Sequence, residues 1–505
     1  MPNVYLIGAG PGDPGLMTLK GKKAIESADA VVYDYLANPV FLKFAKPGAE
    51  IIYVGKKGGD HTLPQDQINA LIIAKAREGK VVARLKGGDP YVFGRGGEEA
   101  EELVAAGLTF EVVPGVTAGV AAAAYAGIPV THRAFTPSVC FITGHEDPTK
   151  AASTLHWDAY AKSTSTLVFY MGVKNLPDIC AKLISAGRPA DEPVALVYRG
   201  TTCRQRSFVS TLKDAPAEAK RLKFSAPSII IVGGVCSLQD KLAWFEKRPL
   251  LGQGVVVTRA REQASDFAQV LEDLGACVLE FPTIAVNALP DYAEVRATVE
   301  NLGEYAWVVF TSTNGVDHFW RVLRDMGRDA RVFGGCQVAA IGPATADALR
   351  ERGIEPDFVP PKYVAESVVE GLLARGMQGK KVLIPRAKVA REVLPEELAK
   401  AGAEVRILPV YETGLAEEGP GEFLEWLEDG RVQVVTFTSS STVENFFALV
   451  PKETLAAKRD SLRLACIGPV TAKTLARFGF EPDIAPADYT IPGLAAALAQ
   501  AAETA

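Results

Sequence analysis

No stretch of the 505 residues reaches about 18 unbroken apolar positions, the length that a membrane-crossing helix requires. The nearest approach, VTAGVAAAAYAGIPV, is alanine-rich and reads as a tightly packed helix of a soluble protein. Excess positive charge is missing too: the formal net charge is -6 and the isoelectric point about 5.7. A sequence-independent grip on nucleic acid needs a basic face and has no support here. The seven cysteines never stand as C-x-x-C and lie mostly singly in apolar runs such as SVCF and LACI. That is how small buried hydrophobes are used, so free thiols in a reducing, cytoplasmic setting are expected. His61, His132 and His145 have no metal-site spacing, and no metal is expected. Low-complexity tracts are absent, and the opening MPNVYLIGAGPG runs straight into a strand without the charged and apolar regions of a signal peptide.

The chain does have a regular alternation of short β-branched runs with helical stretches. VYLIGAG, AVVYD, EIIYVG, KVVARL and FEVVPG come first, then GVVVTRA, AWVVFTS, QVAAIG, KVLIPRA, VVTFTS and RLACIG. Such alternation predicts an α/β fold with parallel sheets, and the length predicts about three domains. The second half repeats itself. GVVVTRAREQASDFAQVLEDLGACVLEFPTI resembles KVLIPRAKVAREVLPEELAKAGAEVRILPVY, with Arg259 and Arg386 127 positions apart. FTSTNGVDHF and FTSSSTVENF recur at the same offset, and AIGPATADALRERGIEPDFVP and CIGPVTAKTLARFGFEPDIAP at 126. Two copies of one α/β unit are expected, with a cleft between them, rather than a many-repeat solenoid. A short tether, KLAWFEKRPLLGQG, places the boundary between the halves near Pro249.

The first strand ends in Gly8-Ala9-Gly10-Pro11-Gly12-Asp13-Pro14-Gly15. In a dinucleotide fingerprint the third glycine packs a helix facing pyrophosphate. Here Asp13 stands at that place and would repel phosphate, while Pro11 removes an N–H donor. A phosphate-free cation such as S-adenosylmethionine fits better, and a purely structural tight turn is the alternative. GAGPGDPGLMTLKG, VVYDYL, VGKKGGDHTLPQDQIN, VVARLKGGDPYVFGRGGEE, VVPGVTAGVAAAAYAGIPVTHR, FITGH, TLVFYMGV and RGTTCRQR, in this order, resemble the uroporphyrinogen-III C-methyltransferases of the tetrapyrrole methylase family over nearly all of residues 1–245.

That resemblance implies a two-lobed tetrapyrrole methylase fold over 1–246 and a bound S-adenosyl-L-methionine. It assigns contacts with the methyl donor to Pro11, Gly87, Gly88, Asp89, Val92, Thr117, Ala118, Met171 and Gly200. Gly87 and Gly88 permit close backbone approach and Asp89 suits ribose hydroxyls or the amino group. Met171 offers a polarisable apolar wall, although a methionine in such a run is commonly core. Asp34 and Lys56, at strand ends, correspond to the family's proton acceptor and donor. Asp34 as a hydrogen-bond acceptor for a substrate pyrrole is the alternative. The substrate, uroporphyrinogen III, carries eight carboxylates, and Lys56, Lys57, Lys86, Arg95 and Arg133 are candidate partners, each otherwise a solvated surface charge. The family is typically homodimeric, so a homodimer through this half is expected.

The TRA, FTS-x-NGV, IGP-x-T and PVYET segments of residues 250–505 resemble uroporphyrinogen-III synthase. The implied fold is two α/β lobes joined by crossing strands near EFPTIAV and ILPVYET: about 250–282 with 410–505, and 283–409. The implied reaction closes hydroxymethylbilane without a cofactor. Thr311, Ser312, Thr438, Ser439 and Ser440 follow strands at helix starts, and Thr345 and Thr471 follow IGP. They are read as helix caps or as carboxylate binders. Tyr411 in PVYET corresponds to the family's proton donor for loss of hydroxyl, or else is a packed strand tyrosine. Two rivals to the bifunctional reading are a monofunctional methyltransferase carrying a passive two-lobed ligand-binding module, and methylation of another macrocycle or of RNA.

Overall fold

Five short strands of the first half run in one direction: β1 (Val4–Gly8), β2 (Ala30–Tyr33), β3 (Glu50–Tyr53), β4 (Val82–Lys86) and β5 (Phe110–Val113). In the computed structural model they form one parallel sheet, ordered β3-β2-β4-β1-β5. The structure describes residues 2–55, 63–145, 155–259, 261–363, 365–390, 392–416 and 419–504, with the backbone alone at 261–265. Near-continuous apolar strands suit a sheet covered on both faces. On one face Leu6, Val32 and Val82 pack with Ile68, Ile72 and Leu103. On the other, Ile7, Val31 and Leu85 pack with Ile25 and Phe41.

A second sheet follows, from β6 (Val139–Thr143), β7 (Thr166–Tyr170), β8 (Pro193–Tyr198), β9 (Arg206–Thr211) and β10 (Ser228–Val232), ordered β6-β7-β10-β8-β9. It is mixed rather than parallel as the alternation suggested: β10 runs antiparallel to both β7 and β8, and β9 antiparallel to β8. The physical reason is loop length, because the seven residues between Tyr198 and Arg206 are too few for a parallel crossover.

The second half contributes β11 (Gly254–Val257), β12 (Cys277–Glu280), β13 (Ile284–Asn287), β14 (Trp307–Phe310), β15 (Gln337–Ala340), β16 (Lys381–Ala387), β17 (Glu404–Leu415), β18 (Val434–Phe437) and β19 (Arg463–Cys466). They build two sheets, ordered β12-β11-β18-β19 and β13-β17-β16-β14-β15. Replacing each strand by its repeat partner turns the first order into the second, apart from the added edge strand β13. The duplication reaches single hydrogen bonds: Asp357 Oδ2 accepts from the Val338 amide and Asp483 Oδ2 from the Leu464 amide, both at 2.7 Å. β13 pairs antiparallel with the far end of β17, from Ile284 opposite Leu415 to Asn287 opposite Glu412. These are the two segments expected to cross between lobes.

The chain divides into two compact units, Met1–Gly254 with Leu271–Cys277 and Ala499–Ala505, and Val255–Val270 with Val278–Leu498. Within the first, the tether is packed. Phe245 is buried against Tyr125, and Glu246 accepts from Gln205 Nε2 at 2.9 Å and the Ser207 amide at 3.1 Å. One expectation is corrected: Cys203 and Cys277 form a disulfide, with 5.2 Å between Cα atoms. The two cysteines lie 74 residues apart, and only the meeting of the loop after β8 with the start of β12 brings them together. Cys140, Cys180, Cys236, Cys336 and Cys466 are free thiols. Among the described residues no helix is long and apolar enough to cross a membrane.

Candidate active sites

Because β1, β2, β4 and β5 are parallel, the segments that follow them emerge at one edge of the sheet. That edge carries Pro11, Asp34, Gly87 to Val92, and Thr117 with Ala118. β7 and β8 of the second sheet also share a direction, each being antiparallel to β10, so Met171 and Gly200 emerge together. Backbone bonds join the two first-sheet loops: Gly10 N donates to Gly88 O at 3.1 Å and Gly88 N to Gly10 O at 2.7 Å. Asp13 crosses to the second sheet. Its amide donates to Thr201 Oγ1 at 3.1 Å, and its Oδ2 accepts from Tyr125 OH at 2.6 Å. The other oxygen, Oδ1, caps Gly15 N at 2.7 Å. The acidic residue that spoils the dinucleotide pattern therefore stitches the loop into place.

Several of these glycines are required by the packing of the chain itself. A Cβ on Gly87 would overlap Leu36, one on Gly200 would overlap Ala122, and one on Gly115 would fall on Gly88 O and Gly8. Their space is taken by this chain's own atoms, as close loop packing requires. Gly88 needs glycine because its φ is 72°.

The candidate donor-site residues fit S-adenosyl-L-methionine chemically. Val92, Thr117, Ala118 and Asp89 are half-buried, as cleft linings are, while Met171 is 53% exposed at φ 57°. Met171 is therefore not core. Apolar walls, one carboxylate and a proline-interrupted loop suit a phosphate-free cation and not a pyrophosphate. Asp89 spends Oδ2 on the Gly115 amide at 3.0 Å and Oδ1 on the Tyr91 amide at 2.8 Å, which fixes its orientation.

Tyr170, unremarked in the sequence, organises this wall. Its hydroxyl accepts from Gly119 N at 2.6 Å and lies 2.7 Å from Thr117 Oγ1, and its ring packs on Phe93 and Phe141. Burial raises its phenol pKa, while the bonds to Thr117 and Gly119 lower it. The position between a β-branched run and the Met171 turn was the available signal.

Asp34, at the end of β2, receives Arg84 Nη2 at 3.0 Å and the Leu36 amide at 3.1 Å. Arg84 lies inside the buried strand β4 and also donates through Nε to Glu99 Oε1 at 3.2 Å. A charged residue amid VVARLK was the sequence sign of this pair. Lys86 is corrected as a substrate cation: it is 4% exposed and its Nζ donates to Glu99 Oε1 at 2.7 Å. Burial lowers the Lys86 ammonium pKa, with Arg84 acting in the same direction. Arg95 is exposed and forked onto Glu98 at 2.9 and 2.7 Å, and Arg133 is exposed. Lys56, Lys57 and His61 lie outside the described residues. Arg199, not singled out by sequence, donates to Tyr35 OH at 3.0 Å beside Asp34.

In the second unit Tyr411 lies on β17 where the register with β16 shifts, Arg386 opposing Pro409 and Ala387 opposing Tyr411. The bulge lets the consecutive residues Val410 and Tyr411 both turn inward. Tyr411 is 6% exposed, with its hydroxyl 3.1 Å from Ser312 Oγ and its ring stacked on His318 at 5.4 Å. Burial raises the phenol pKa, opposed by bonds from Ser312 and Asn314. Sequence reasoning missed Asn314 and His318 because they act through Tyr411, about 95 positions away.

Ser312 and Ser439 are helix caps, accepting from Gly315 N at 3.0 Å and Thr442 N at 3.2 Å. Ser440 is paired with Thr474 at 2.8 Å. Thr311 and Thr438 are half-buried at the strand–helix junctions. Thr345 and Thr471 are corrected as carboxylate binders: each is 4% exposed at the third position of its helix, turned into the packing.

Each half of the chain is similar to known proteins. Residues 3–216 match the family Tetrapyrrole (Corrin/Porphyrin) Methylases and 265–496 the family Uroporphyrinogen-III synthase HemD. A porphyrin biosynthesis protein HemD of Ruminiclostridium josui is 39% identical over 478 residues, 95% of this chain and 94% of that one. A uroporphyrinogen-III C-methyltransferase of Bacillus subtilis (strain 168) is 43% identical over 359 residues, 70% of this chain and 73% of that one. Among solved structures, the uroporphyrin-III C-methyl transferase of Thermus thermophilus complexed with S-adenyl homocysteine is 38% identical, covering 46% of this chain and 99% of that one, with a TM-score of 0.40. The chain belongs to the family of fused tetrapyrrole methylases and uroporphyrinogen-III synthases, and it is a bifunctional, S-adenosyl-L-methionine-dependent enzyme of tetrapyrrole biosynthesis.

Proposed function

We propose that the two halves act in succession on one substrate. Residues 250–505, with lobes at about 250–282 plus 410–505 and 283–409, close hydroxymethylbilane to uroporphyrinogen III with ring D inverted and water lost. Residues 1–246 then transfer two methyl groups, to C2 and C7, giving precorrin-2 for siroheme or cobalamin. The observation that carries this order is the presence of both families on one chain, since the product of one is the substrate of the other.

S-adenosyl-L-methionine, when bound, supplies an electrophilic methyl group. The chain's own residues do the rest. Pro11, Gly87, Gly88, Asp89, Val92, Thr117, Ala118, Met171 and Gly200 hold and orient the donor. A pyrrole carbon is already nucleophilic, so alignment and removal of one proton are what remains. Asp34 takes that proton on one of its carboxylate oxygens, and Lys56 is the matching proton donor. Lys57, Arg95 and Arg133 attract the substrate carboxylates. In the other half Tyr411 donates its hydroxyl proton to the departing hydroxyl, with Ser312 holding the phenol and Thr311, Thr438, Ser439 and Ser440 offering polar groups to the polyanion. The methyltransferase half pairs two copies into a homodimer.

The test is mass analysis of the products from hydroxymethylbilane. Type III macrocycle without the methyl donor, and the same macrocycle plus two methyl groups with it, is the expected result. Only the spontaneous type I macrocycle would instead make the second half a passive binding module.

A further inference from the structure

The helix Gly96–Ala105 starts after Arg95, whose φ is 57°, and Gly96 N donates to Pro90 O at 2.9 Å. This entry turns Glu98 outward to Arg95 and Glu99 inward, where it is 1% exposed. Three donors converge on one Glu99 oxygen: Lys86 Nζ at 2.7 Å, Gln65 Nε2 at 3.0 Å and Arg84 Nε at 3.2 Å. The other oxygen, Oε2, is buried with no hydrogen-bond partner among the described residues. A carboxylate placed for hydrogen bonding alone would use both oxygens. The group that needs Glu99 is the pair of buried cations. Arg84 is shared, with Nε on Glu99 and Nη2 on Asp34. Asp34, Arg84, Glu99 and Lys86 together form a chain of two carboxylates and two cations.

We propose that Glu99 is a positioning residue for methyl transfer: buried beyond the reach of donor and macrocycle, it anchors Arg84 and so sets the orientation of Asp34. The inference rests on the reading of Asp34 as proton acceptor. Without Glu99, Arg84 would be free to fork onto Asp34 and draw it from the cleft. Among the described residues, the titratable and charged groups coupled to Asp34 are Arg84 and Lys86 from β4 and Tyr53 from β3. Those facing Glu99 are Arg84 and Lys86 from β4, Gln65 from the helix Gln65–Arg77, and Arg95 from its own segment.

The experiment measures methylation of supplied uroporphyrinogen III by the full chain for Glu99→Gln, for the double variant Glu99→Gln with Lys86→Met, and for Asp34→Asn. Synthase turnover and thermal melting of the same samples report folding. In Glu99→Gln kcat is expected to be about tenfold lower with the donor KM within about twofold. The double variant leaves Arg84 unanchored and is expected to stay equally low; recovery there would assign the loss to the unbalanced Lys86 charge and overturn the proposal. A Glu99→Gln protein with wild-type kcat overturns it too. So does a fall in kcat accompanied by a comparable rise in donor KM or by earlier melting, which would make the residue merely structural. Asp34→Asn distinguishes the two levels: full turnover there removes the proton-acceptor reading itself and the proposal with it, whereas loss there with a wild-type Glu99→Gln protein removes the proposal alone.

Discussion

The phenol oxygen of Tyr170 lies 2.6 Å from the amide nitrogen of Gly119, so a strand of the second sheet caps a helix that follows the first. Thr117 holds the cap position of the helix Ala118–Tyr125, but its side chain makes no cap bond and turns to Tyr170 instead. The first amides of a helix need an acceptor, and here it comes from 51 residues away. Met171 follows directly, so this one bond ties the helix Ala118–Tyr125 to the turn at Met171.

Tyr170→Phe removes that acceptor and leaves a buried amide unsatisfied, at a cost of about 1–3 kcal/mol. Calorimetric titration of the full chain with S-adenosylhomocysteine is expected to show affinity about tenfold weaker, with synthase turnover unchanged. Wild-type affinity would mean that the helix end is held by other contacts.

Gly115→Ala tests the loop packing. The added Cβ would meet backbone atoms of Gly88 and Gly8, which cannot step aside as a flexible side chain can. Methyl transfer should be lost while cyclisation continues on the same chain. An active Gly115→Ala methyltransferase would show that the β1, β4 and β5 loops need not be in contact.

Tyr411 is protonated well beyond neutrality because burial raises its pKa above the usual tyrosine value of about 10. A synthase rate that depends on its proton should show no alkaline fall from this group below pH about 10, and Tyr411→Phe should lower type III formation at every pH. A Tyr411→Phe protein forming type III macrocycle at the wild-type rate would reduce the residue to packing. Ser312→Ala should have a smaller effect in the same direction.

The sign for stability follows from the same shifts. Tyr125, Tyr170 and Tyr411 all have pKa values raised chiefly by burial. The stabilisation they contribute is complete below the unfolded value of about 10 and is lost as pH rises through the folded values. Alkaline melting curves should therefore fall only above that point. Tyr125→Phe, which removes the bond to Asp13, should flatten the fall.

The Cys203–Cys277 disulfide closes a span of 74 residues, which the chain-entropy view values at about 4 kcal/mol. Unfolded protein should titrate five thiols without reductant and seven with it. Native protein should react slowly, since burial pushes Cys180 and Cys336 up to about 11 and Cys236 and Cys466 to about 12. Seven thiols without reductant would contradict the crosslink, and Cys203→Ser should melt earlier than the wild type.

Local chemistry and repetition determined much of this protein from the sequence alone. The offsets of 127 and 126 between matched motifs predicted a duplicated α/β unit, and the two sheets share one strand order because equal patterns of apolar strands and helices pack in equal ways. The strand ends followed by Asp34 and Asp89 were legible because a parallel sheet brings such ends to one edge. What the tertiary structure alone decided is the pairing of residues distant in the chain. Glu99 with Lys86 and Arg84, Tyr170 with Gly119, Ser312 with Tyr411 and Cys203 with Cys277 leave no periodic trace. Burial is likewise decided there: Lys86 reads as a surface cation, and Thr345 and Thr471 as free hydroxyls, until the packing of β4 and of the two helices encloses them. Sequence spacing encodes which face of an element a side chain takes; which charge, acceptor or thiol waits on the opposing element depends on how the elements assemble.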